Sequence, residues 1–193
     1  MGLISNGTTI FDNGAMASGF GGSMTFISSA TASSSASIEF TLGDYKEYQF
    51  YFVNIHPASS QNFEFQGSTN SGSSYGVTIT STAFRAYHDE SDTATALQYD
   101  TASDLAQSTS FQRLMKITTD NDFNCSGTLK IFNPSSTTYV KHFISNCNGN
   151  NANYSQNEFY AGYFNTTSAL TNIKFQMSSG NIDDGKILLF GIN

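Results

Sequence analysis

Few residues in this chain have chemical reach, and they are thinly spread. The 193 residues include 8 Lys and Arg, 15 Asp and Glu, 3 His and 2 Cys. The densest group is His88-Asp89-Glu90-Ser91-Asp92. Carboxylates this close could hold a hard cation such as Ca²⁺ together with backbone carbonyls, although the spacing is not that of an EF-hand. The plainer interpretation is a solvated acidic loop. A glycosidase needs two acids facing each other across a cleft, and Asp89, Glu90 and Asp92 are too close in sequence to supply such a pair. His56, His88 and His142 share no ligand spacing, so His56, before Pro57, and His142, mid-strand, read as structural. No nucleophile elbow, phosphate loop or dinucleotide glycine motif is present. The sequence therefore assigns no catalytic residue, cofactor or metal site, and the chain is not expected to be an enzyme.

Recognition chemistry remains open. Sugar-stacking platforms use exposed aromatics, and the chain has no Trp but 10 Tyr. Tyr75, Tyr87, Tyr99 and Tyr154 fall near expected loops and could stack on sugars; equally, they could shield sheet edges or fill a subunit interface, where Tyr is enriched. Tyr87, His88, Asp89, Glu90 and Asp92 are the candidate receptor or ion loop. The sequons Asn6-Gly7-Thr8 and Asn165-Thr166-Thr167 carry little weight without a secretory leader.

The elements that must position these residues are strands. Charged residues make up 12% of the chain and the hydrophobic fraction is 38%, the balance being small uncharged polar residues. The net charge of −7 argues against a nucleic-acid partner, which wants a basic stripe, and against an anionic membrane surface. No apolar run is long enough to span a bilayer. Met1–Phe11 has neither a basic start nor an apolar core, so no secretory leader is expected. Asn6 in place of Ser or Thr argues against myristoylation. Cys125 and Cys147 sit in strand-like segments. They read as small buried apolar residues, with a disulfide between neighbouring strands left open.

Short runs of alternating apolar and polar residues, such as Ile38-Glu39-Phe40-Thr41-Leu42 and Ile173-Lys174-Phe175-Gln176-Met177, recur along the chain, with turn residues between them. Tyr48–Ile55 is apolar on both faces and predicts a central strand covered on both sides. Residues 88–107 predict a long surface excursion with one helical turn near Thr93–Leu97, and Asn146–Asn153 an Asn/Gly loop. Together these predict an all-β fold: an antiparallel, jelly-roll-like β-sandwich of about ten strands at residues 23–193. An extended Gly-rich arm at residues 1–22 would precede it. Its large apolar residues, Leu3, Ile4, Ile10, Phe11 and Met16, are the candidate partner-binding set.

Several strings are distinctive together: MGLISNGTTIFDNG (Met1–Gly14), YKEYQFYFVNIHP (Tyr45–Pro57), AYHDE (Ala86–Glu90), Leu105-Ala106-Gln107, FNPSSTTYVKHF (Phe132–Phe143), and the segment Ala161–Asn193 ending in GKILLFGIN. As a set spanning nearly the whole chain, they resemble small structural proteins of marine tailed phages, of the decoration or fibre type. The resemblance implies a virion component, assembled in the host cytoplasm and released by lysis, whose partners are other virion proteins. The expected role is a capsid decoration (cement or head-fibre) protein, a homotrimer anchored by its arm. The alternative is a tail-fibre or receptor-binding module contacting host-surface glycans.

Overall fold

The computed structural model describes residues 3–12, 15–16, 24–118 and 120–193. Every regular element in them is a strand. Three short strands come first: β1 (Leu3–Ser5), β2 (Thr8–Asp12) and β3 (Ala15–Met16). Twelve longer ones follow: β4 (Thr25–Thr31), β5 (Ile38–Thr41), β6 (Glu47–Pro57), β7 (Gln61–Ser68), β8 (Ile79–Asp89), β9 (Thr95–Tyr99), β10 (Gln112–Ile117), β11 (Cys125–Phe132), β12 (Lys141–Asn151), β13 (Tyr154–Phe164), β14 (Asn172–Met177) and β15 (Ile182–Ile192). These twelve form a β-sandwich of two antiparallel sheets. The larger has the order β4-β15-β6-β11-β12-β13-β8-β9, the smaller β10-β7-β14-β5. From β4 to β8 the chain changes sheet at every step, so its course wraps around one interior.

Period-2 alternation decides what lies between the sheets. Phe40, Phe50, Phe52, Phe63, Phe65 and Phe175 are all buried there. Phe175 is the hub: its ring centroid lies 5.0 Å from Phe50, 5.3 Å from Phe52, 5.9 Å from Phe63 and 6.1 Å from Phe40. Most of these contacts are edge-to-face, the arrangement favoured by the ring quadrupole. Gly162, on β13, makes room at this interface. A Cβ there would lie 2.7 Å from Phe143 Cζ and 2.8 Å from Ser81 Cβ.

Twelve strands build the sandwich, in keeping with the about ten expected. The structure corrects three expectations. Residues 93–97 hold no helical turn; β9 instead forms a hairpin with β8, with Thr95 opposite His88 and Tyr99 opposite Phe84. Thr95, Leu97 and Tyr99 suit a pleated surface better than a helix. The Asn/Gly segment 146–151 is strand, because β12 stays in unbroken register with β13 through Asn151 and Tyr154. A satisfied ladder there overrides the low strand propensity of Asn and Gly. Finally, β6 is central, between β15 and β11, yet no second layer covers its outer face: Val53 is 43% exposed. The outer aromatics cover one another instead, Phe190 lying 5.5 Å from both Phe26 and Tyr51.

Among the described residues, β1, β2 and β3 pair only with one another. Ile4 is 61% exposed. The side chains of Leu3, Ile10, Phe11 and Met16, and residues 1, 2, 13, 14 and 17–22 of the expected arm, lie outside the described residues.

Candidate functional site

Eight strands face four, so the larger sheet outruns the smaller. The smaller sheet ends at β10, which packs against β12 and β13. Beyond it lie β8 and β9. The inward positions of β8 change character along its length, from Ile79, Ser81 and Ala83, all buried, to Arg85 and Tyr87, both half-buried. On β13 the inward series ends in Tyr160, Glu158, Gln156 and Tyr154. At this end the Phe-lined interior gives way to a polar network.

Arg113, on β10, is its centre. Its Nε donates to Glu158 Oε2 at 3.0 Å and to the Tyr160 hydroxyl oxygen at 2.7 Å; its Nη2 donates to Asp100 Oδ2 at 2.5 Å. The Tyr160 hydroxyl in turn donates to Glu158 Oε2, and Gln156 Nε2 donates to Glu158 Oε1 at 2.5 Å. Asn151 Nδ2 donates to Gln156 Oε1 at 3.0 Å. Glu158 is 1% exposed and Gln156 2%. Burial opposes the Arg113 charge, but Glu158, Tyr160 and Asp100 outweigh it and the guanidinium pKa is raised. Burial, reinforced by the Glu158 charge, pushes the Tyr160 phenol up. Burial would raise Asp100 too, yet Ser103, Arg113 and the Ala102 amide hold its carboxyl below the usual range. Buried charges persist only when paired in this way.

Above this network opens a cavity of about 220 Å³ lined by Arg85, Tyr87, Asn151, Tyr154 and Gln156. The Tyr87 and Tyr154 rings meet edge to face, centroids 5.3 Å apart at 88°. The Arg85 guanidinium lies 5.9 Å from the Tyr87 centroid and 3.9 Å from Asp100 Oδ2. With the Gln98 amide oriented oxygen-first, Arg85 Nη2 and Nε donate to it at 2.8 and 3.1 Å. A larger cleft, about 390 Å³, lies at Thr69, Ser74–Thr78, Asn165 and Thr166. Its one aromatic, Tyr75, is already engaged: Lys174 Nζ sits 4.2 Å from the ring centroid, and the hydroxyl donates to Glu39 at 2.9 Å.

The candidate loop residues divide between two sides of the sheet. Tyr87 points inward into the smaller cavity. His88, Asp89 and Glu90 line a separate shallow pocket of about 240 Å³ with Asn148, Gly149, Asn150 and Ser155. Asp89 ties the β8–β9 turn. Its oxygens accept from Ser91 Oγ (2.7 Å), Thr93 Oγ1 (2.5 Å), Thr93 N (2.8 Å) and Ala94 N (2.8 Å). These bonds, those from the Thr93 and Ser91 hydroxyls foremost, hold its carboxyl far below the usual range. Asp92 pairs with His88 at 3.0 Å in the open. Among the described residues, no three His, Cys, Asp or Glu side chains are grouped to hold a metal ion. His56 Nδ1 lies 2.6 Å from the Phe123 carbonyl, and the exposed His142 ring packs near Tyr163. Cys125 and Cys147 are buried free thiols on adjacent strands, the latter pushed up to about 12 by burial.

Sequence reasoning missed Arg85, Asn151, Gln156, Glu158, Asp100 and Arg113. A signal was present: alternation puts Arg85 in phase with buried Ala83, and Glu158 in phase with Tyr160. A charge on the buried phase of a strand needs a partner. No protein-family model matches this chain, and no curated protein matches it.

Proposed function

We propose that this chain is a structural protein of a phage particle: a capsid decoration protein that acts by packing against neighbours and performs no catalysis. The observation that carries the proposal is the outer face of β12, β13, β8 and β9. Its outward positions run His142, Ile144, Asn146, Asn148 and Asn150 on β12, then Ser155, Asn157, Phe159, Ala161 and Tyr163 on β13. On β8 and β9 they continue as Thr80, Thr82, Phe84, Ala86 and His88, then Thr95, Leu97 and Tyr99. None is Asp, Glu, Lys or Arg, in a protein of net charge −7. Leu97 is 73% exposed, Ile144 51%, Tyr99 51% and Phe84 43%. An uncharged, aromatic-dotted sheet face of this kind suits burial against another protein. Copies that repel through their net charge meet most cheaply there, which supports self-association; the assembly we propose is a homotrimer. The arm, whose described strands pair with none in the sandwich, supplies a second contact with the shell.

Quantitative mass spectrometry of purified virions tests the address. A decoration protein is present in hundreds of copies per particle; a number near a dozen places the chain on the tail and overturns the proposal. Deleting residues 1–22 should leave a folded domain that no longer binds capsids, and retained binding removes the arm from the account. The second reading, a tail-fibre or receptor-binding module, is favoured by the Tyr87–Tyr154 cavity.

A further inference from the structure

We infer that the cavity beneath Tyr87 and Tyr154 is a saccharide subsite that takes one uncharged pyranose ring. Four features of the site point there.

The first is aromatic. Of the four loop tyrosines, Tyr75 and Tyr99 are occupied, their hydroxyls donating to Glu39 and Asp104. Tyr87 and Tyr154 bond no other described residue through their hydroxyls. Their perpendicular rings make a corner rather than a slot. A flat base would favour parallel walls, whereas a puckered sugar ring offers C–H groups to one surface and hydroxyls to the other. The second feature is polar convergence. Asn151 and Gln156 amides, the Arg85 guanidinium and two free phenols line one small space, the mix of few polar groups on an aromatic wall that fixes a ligand's orientation.

The third is charge. Arg85 lies 3.9 Å from Asp100, and Arg113 beneath is matched by Glu158 and Asp100. No net positive charge is left to hold a phosphate or a carboxylate, and the chain's −7 repels polyanions. The fourth is rigidity. Gln156, itself 2% exposed, is clamped by Glu158 and Asn151, so the floor is set before any ligand arrives. The volume, about 220 Å³, is below the roughly 300 Å³ where pockets for larger ligands begin. One ring of a longer, solvent-exposed glycan fits that size.

This inference deepens the receptor-module reading, but its test does not depend on a particle address, because binding is read on the isolated full-length chain. Labelled protein is titrated with the methyl glycosides of glucose, galactose, mannose and N-acetylglucosamine, followed by amide and side-chain chemical shifts. At least one glycoside should shift Tyr87, Asn151, Tyr154 and Gln156 together. Affinity should fall at least tenfold in Tyr87→Ala and Tyr154→Ala, and several-fold in Tyr154→Phe, which keeps the ring and is the safer variant for folding. Leu97→Ala, on the opposite face of the same sheet, should leave binding unchanged. No shifts with any of the four glycosides overturns the inference, as does binding that survives both alanine variants. Binding of inorganic phosphate or glucuronate in preference to the neutral sugars overturns it equally.

Discussion

Arg113 and Asp89 show opposite uses of charge in a chain that has little of it. Arg113 is a bridge between two carboxylates inside the sandwich. Arg113→Met keeps the length and removes the charge, leaving Glu158 and Asp100 without the cation they share. The expected cost is about 3–5 kcal/mol, the penalty for breaking a buried ion pair from one side, measured as a lowered urea midpoint. Asp89 is a clasp at a hairpin turn. Its folded-state pKa lies below the ordinary aspartate value of 3.8, so its contribution is complete above that value and is lost as pH falls toward the folded-state pKa. Asp89→Asn should therefore melt lower than the parent at pH 7, and the gap should narrow below about pH 4 as the unfolded state takes up protons. A gap constant down to pH 2 would show that the charge on Asp89 does not matter. Asp89 was visible in the sequence as part of an acidic group. Its role was not, because Ser91, Thr93 and Ala94 become its partners only once the chain turns between β8 and β9.

β9 is the most informative single element. Its sequence, Thr-Ala-Leu-Gln-Tyr, is too short for periodicity to separate strand from helix, and only the edge of β8 decides it. Once β9 is paired, Leu97 and Tyr99 must face outward, and the uncharged outer surface gains its most exposed large apolar residue. Leu97→Glu places a carboxylate at that spot. If this face joins copies, the variant should sediment as a smaller species than the parent at equal concentration while keeping its melting temperature within a few degrees. Unchanged sedimentation of an oligomeric parent would move the interface elsewhere. β12 teaches a complementary lesson. Asn146, Asn148 and Asn150 look like a loop in isolation, yet Cys147 and Gly149 between them point into the core, and that alternation is what the structure follows.

At the scale of the whole molecule, the fold class was legible because apolar residues alternate with polar ones in short runs along much of the chain. The pairing of sheets was not, since it depends on contacts among residues far apart in sequence. Phe175 joins β5, β6, β7 and β14 through its ring contacts. Phe175→Ala should cost about 3–5 kcal/mol in one cooperative transition, and a loss under 1 kcal/mol would mean that the hub repacks. The inequality of the two sheets was equally hidden, and it has a consequence for how such a protein can change over time. The residues that hold the sandwich together lie under β10, β7, β14 and β5. Tyr87, Gln98, Asn151 and Tyr154 lie outside that cover. Replacement at those four positions leaves the Phe-rich interior as it is. A lineage of such proteins can therefore vary the overhang while inheriting the fold intact, and the rim beyond β10 is where close relatives should diverge first.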